Sequence, residues 1–116
     1  MTQSRQIIGY LAEDEKAELA SYAAGFGLHL SSLALLLVRR ELYRNRLGQL
    51  ARDTQLIPLA TSGPKVAARF PSAGTRAEFG RHVAAAGLKM TPALALLLRA
   101  ELRERWLEGV VTQDST

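Results

Sequence analysis

GLHLSSLALLLVRREL, residues 27–42, returns sixty positions later as GLKMTPALALLLRAEL, residues 87–102. The match continues on both sides, through Ala17/Ala77, Glu18/Glu78 and Ala24/Ala84 before it and Leu47/Leu107 after it, with like-for-like exchanges at Leu19/Phe79, Leu30/Met90 and Ser31/Thr91. An internal duplication is the economical reading. Two copies are too few for a solenoid, which needs at least about three repeats to bury a continuous core. The copies are therefore expected to pack on each other.

Each copy reads as three pieces. A short extended segment, RQIIGYL at 5–11 and KVAARFP at 65–71, carries β-branched and aromatic residues, and Pro71 ends the second. A first helix follows at about 13–26 and 73–86, opened in the first copy by Glu13, Asp14 and Glu15, where the helix dipole favours negative charge. Gly27 and Gly87 stand where the helix should end, because glycine takes the left-handed conformation without penalty. The second helix is expected to start at Ser31 or Ser32 and at Thr91, with Pro92 in the first helical position, which proline tolerates. It is apolar on nearly every side over LALLLV and ALALLL. Such a helix is normally buried all round, and one copy has too few elements to cover it. Leu36, Leu37, Leu96 and Leu97 are the expected centre of the shared core.

Composition fits one domain spanning 1–116, with repeats at 5–47 and 65–107 and a linker at 48–64 whose LIPLA stretch is expected to pack on the body. The 116 residues are 47% hydrophobic, enough for one core but marginal for two. A net charge of +4 permits a polyanionic partner without requiring one. No cysteine is present, which excludes a disulfide framework or thiolate metal site and suits the reducing cytoplasm. The longest apolar run, Leu33–Val38, is far short of the roughly 18 residues of a membrane span, and MTQSRQ lacks the order of a signal peptide. Neither membrane insertion nor secretion is expected.

Strand, helix, GL turn, Ser or Thr, and an apolar second helix together resemble the ribbon-helix-helix family of DNA-binding proteins. The resemblance covers 5–47 and 65–107. It implies a mostly α fold with a two-stranded antiparallel β-ribbon, in which two copies intertwine and their second helices cross in one core. Found twice in register, it makes the chain similar to a family dimer fused into one monomeric chain, as in the tandem members that serve conjugative and T-DNA transfer. The implied partner is double-stranded DNA, joined by a protein partner in a nucleoprotein complex. The implied role is repression or DNA-transfer assistance, without catalysis or cofactor.

In this family the ribbon enters the major groove and alternate side chains read base edges. On the second strand Val66, Ala68 and Phe70 should face the core, leaving Lys65, Ala67 and Arg69 outward. On the first, aligning the repeats puts Arg5, Ile7 and Gly9 outward, whereas a one-residue slip exposes Gln6, Ile8 and Tyr10 instead. A backbone phosphate would be held at the start of each second helix, by Ser31 and Ser32 in one copy and by Lys89 and Thr91 in the other. Serine and threonine also cap helices where no DNA is present.

Other residues suggest no chemistry. His29 and His82 are the only histidines and have no metal-ligand spacing around them. The GFG at 25–27 reads as a helix terminus, and no nucleophile stands with a base and an orienting group. Arg39, Arg40, Arg44 and Arg46, alternating with Glu41, read as a solvated helix face, as do Arg99, Arg103 and Arg105. Alternatively they form a surface for phosphate or protein. Tyr43 and Trp106 read as packing residues.

Overall fold

The computed structural model describes residues 5–53 and 63–109. Within them the chain runs β1 (Gln6–Tyr10), α1 (Glu13–Ala24), α2 (Leu30–Arg44), α3 (Leu47–Asp53), β2 (Lys65–Arg69), α4 (Ala73–Ala85) and α5 (Met90–Glu104), followed by a helical turn at 106–109. The architecture is mostly helical with one two-stranded antiparallel sheet. The LIPLA stretch at 56–60 lies outside the described residues.

The GL turns form as their glycines dictate. Gly27 and Gly87 take φ of 73° and 77°. This lets Leu28 N–H reach back to Ala23 O at 3.0 Å and Gly27 N–H to Ala24 O at 2.9 Å, a Schellman pair that satisfies two helix-end carbonyls. Leu88 with Val83 and Gly87 with Ala84 repeat it at 3.1 and 2.9 Å. The starts of α2 and α5 differ from expectation. Each begins one residue early, with His29 and Lys89 at the N-cap and no side-chain cap bond, so Ser31, Ser32 and Thr91 lie inside the first turn and do not cap. Pro92 is the third helical residue and sacrifices no hydrogen bond, since the first turn's N–H groups have no intrahelical acceptor. In α1 only Glu15 caps, accepting the Ala12 N–H at 3.0 Å, whereas α4 is capped by Ser72 Oγ, which accepts from Thr75 N–H at 3.1 Å.

All of α3 but its first residue, Leu47, falls in the expected linker. In α3 Leu47 and Leu50 are buried, and the helix packs on α5. The spacing of Leu47, Leu50 and Ala51 is that of one helix face, a signal present in the sequence.

The strands pair antiparallel, Gln6 opposite Arg69, Ile8 opposite Ala67 and Tyr10 opposite Lys65. Each strand is covered by a helix of the other segment, β1 by α5 and β2 by α2, while α2 and α5 pack on each other. One core results. It holds Leu37, Leu96 and Leu97 as expected, but Leu36 is only half-buried. The two central helices are unequally covered: all of Ala93–Leu98 on α5 is buried, whereas α2 leaves both Leu35 and Leu36 partly open.

Candidate nucleic-acid interface

The outward face of the ribbon is Gln6, Ile8 and Tyr10 on β1 and Lys65, Ala67 and Arg69 on β2. Contrary to the register expected from aligning the repeats, Ile7 and Gly9 face inward: Ile7 is 4% exposed in the core and Gly9 backs onto α5. The cause is one extra residue. Leu11 and Ala12 join β1 to α1, but Phe70, Pro71 and Ser72 join β2 to α4. Strand positions therefore correspond at an offset of 59 while helix positions keep 60, and a shift of one turns every side chain over.

Arg5 is exposed just before the strand. Its carbonyl accepts Phe70 N–H at 2.7 Å, adding a rung to the ladder, and its guanidinium donates to Pro71 O at 3.4 Å. It therefore edges the ribbon face. Gln6 and Arg69 lie directly opposite each other at that same end. Arg76, on the first turn of α4, donates from Nε to Gln6 O at 3.3 Å. Among the described residues no side-chain hydrogen bond or ion pair engages Lys65, Arg69 or Lys89, so these charges face outward unneutralised.

The β1 side of the ribbon continues into the start of α5. An open groove of about 440 Å3 runs between Gln6, Ile8 and Tyr10 on one wall and Lys89, Met90, Thr91 and Pro92 on the other, with Arg76 at its side. With no side-chain cap at Lys89, the backbone N–H groups of Met90 and Thr91 remain without an intrahelical acceptor. At α2 the exposed Ser31 and Ser32 follow an equally uncapped His29. The ribbon ends differ in charge. The Tyr10 end leads into Glu13, Asp14 and Glu15, whereas the Arg69 end leads into an α4 first turn without acids.

Near the C-terminal ends of α2 and α5 stand two glutamates, of which Glu41 belongs to the run expected to be a solvated helix face. Glu41 and Glu101 are each 2% exposed. Asn45 and Arg105 end α2 and α5 in left-handed conformations, and the glutamates then take the next two backbone donors. Glu41 accepts from Arg46 N–H and Leu47 N–H, both at 3.0 Å. Glu101 accepts from Trp106 N–H at 3.3 Å and Leu107 N–H at 2.9 Å. Each is bridged to the other segment's first helix: His82 Nε2 lies 2.7 Å from Glu41, and Tyr22 Oη donates to Glu101 at 2.6 Å. Burial and the bond to Glu101 push the Tyr22 hydroxyl up to about 12. The available signal was recurrence, since Glu41 and Glu101 occupy the same place in both repeats.

Of the surrounding arginines, Arg46 forks onto Glu104 and holds that carboxyl below its usual range. Arg40 lies over Trp106, and Arg99 reaches Glu15 at 3.1 Å. Trp106 thus packs as expected, while Tyr43 is 92% exposed and does not. Among the described residues no single helix is long and apolar enough to cross a membrane. Compared with known proteins, the chain matches no family model, no curated protein and no solved structure.

Proposed function

We propose that this chain is a fused ribbon-helix-helix pseudo-dimer that binds double-stranded DNA in the cytoplasm by laying the β1–β2 ribbon in the major groove. The observation that carries the reading is a two-stranded ribbon with an unneutralised outward arginine and lysine, continuous through a groove with an uncapped helix start. A two-stranded ribbon fits the width of the major groove. Arg69 suits bidentate recognition of guanine, and Gln6 opposite it suits adenine, so the two are base readers of one ribbon end. Lys89 with the free N–H groups of α5 suits a backbone phosphate. The role is that of a repressor or a DNA-transfer accessory factor.

Because only one ribbon end carries that pair, the preferred site should be asymmetric. Arg69→Ala is expected to weaken binding by about 1–3 kcal/mol and relax preference at one or two base pairs. Lys89→Ala should weaken all sequences alike and reduce the salt slope by about one. Selection from random duplexes with the wild type and both variants checks this. An unchanged motif and affinity for Arg69→Ala would remove the ribbon as reading head.

A second reading is a protein-interaction module of the same fold, favoured by the apolar middle of the ribbon, where Ile8 lies opposite Ala67. It predicts no salt-dependent, site-selective retardation of any DNA fragment.

A further inference from the structure

The two segments differ at several positions where they touch each other. Helix positions correspond at an offset of 60 and strand positions at 59. Where β1 crosses α5, a Cβ on Gly9 would stand 3.2 Å from Leu94 Cγ and 3.2 Å from the Ala95 nitrogen, so glycine is needed opposite leucine. Where β2 crosses α2, the position of Gly9 is taken by Ala68 and that of Leu94 by Ala34, both fully buried. Volume removed from one side is present on the other. Near the C-terminal ends of α2 and α5, Arg46 forks onto Glu104 at 2.7 and 2.5 Å, and the Arg40 guanidinium lies 4.6 Å from the centre of the Trp106 ring. The positions corresponding to Arg40, Arg46 and Glu104 are Ala100, Trp106 and Arg44.

We infer that the interface between the segments is heteromeric by construction: each segment fits the other and rejects a second copy of itself. This rests on reading the chain as two joined copies of one ancestral half. Paired with itself, the first segment would set Arg46 against Arg44 and Arg40 against Arg46, and Gly9 would face Ala34 across a void. Paired with itself, the second would press Ala68 Cβ onto Leu94, and Glu104 would meet Trp106 with no guanidinium to pair. Like-charge contact and overpacking act as repulsive elements against the two wrong pairings, while the right pairing keeps its ion pair and stacked cation. Every assembled ribbon therefore contains one β1 and one β2. Its outward face always sets Gln6 against Arg69 and never presents two equal halves.

The test starts from the full chain, with a protease site inserted between residues 53 and 63. Cleaved in the folded state, it should melt in a concentration-dependent way, because pairing has become bimolecular. After unfolding in urea and dilution, native mass spectrometry should find the mixed pair, with each self-pair at least about tenfold below its statistical share. Self-pairs making up half of all pairs would overturn the inference. Fragments that refold as separate monomers would instead overturn the joined-copies reading on which it rests. A second measurement needs no cut. In the whole chain Gly9→Ala and Leu94→Ala should each lower the melting temperature, and their combination should lower it by less than the sum. Strict additivity would show that the two positions do not complement each other.

Discussion

Replacing Glu101 with alanine should destabilise the protein by about 2–4 kcal/mol, since a buried donor left without a partner costs about 1–3 kcal/mol and a part-buried one less. Three donors lose their acceptor: Trp106 N–H, Leu107 N–H and the Tyr22 hydroxyl. They tie the chain leaving α5 to α1, so the loss loosens one segment's last helix from the other's first. Glu101→Gln should recover part of the deficit, because a carboxamide oxygen still accepts while its NH2 group cannot. Urea unfolding of the three proteins gives the comparison. A loss under about 1 kcal/mol for Glu101→Ala would mean that the side chain is solvated in solution, as ordinary surface substitutions are. For a domain whose total stability is about 5–15 kcal/mol, the expected loss is a large fraction.

The second large effect contrasts two residues at the same place in the repeats. Leu96→Ala should cost about 2–5 kcal/mol, the usual range for emptying a buried leucine site. Leu96 is 2% exposed and its neighbours from Ala93 to Leu98 are all buried, so little can move in to fill the void. Leu36 is half-buried, and Leu36→Ala should cost less than half as much, because water already covers part of the side chain. Thermal and urea melts of both variants report the difference. Equal losses would contradict the unequal burial of the two leucines.

How far the sequence could be read depended on which residues hold a local instruction. Gly27 and Gly87 were legible because a left-handed turn needs glycine and nothing else in the chain bears on it. Pairing of the two strands was implied by the resemblance to ribbon-helix-helix proteins, whereas the duplication alone implied only that the two copies pack together. The outward face of β1 was not legible, because it depends on whether two or three residues separate strand from helix, and that count changes between the copies. Both faces of β1 were therefore open in the sequence, and it is Gln6 that faces outward while Ile7 and Gly9 face inward. Capping by Ser31, Ser32 and Thr91 was misread for a related reason: His29 and Lys89 start the helices one residue earlier, and their side chains cap nothing. Glu41 and Glu101 were hidden among arginines, where a carboxylate normally implies solvent. Only the left-handed bends at Asn45 and Arg105, invisible in a helix-like pattern, turn the following N–H groups inward to meet them.

The crossing of strands onto the opposite helices also governs how the molecule can be made. During synthesis β1 leaves the ribosome first, and the helix that covers it ends at Glu104. At about 5–20 residues per second, that wait is roughly 5 to 20 s. Throughout it, the apolar side of β1 lacks the helix that covers it, so holding chaperones have their window before α5 is in place. A message broken before the codons for α5 gives no half-working product, because the part already made lacks the cover its own strand requires.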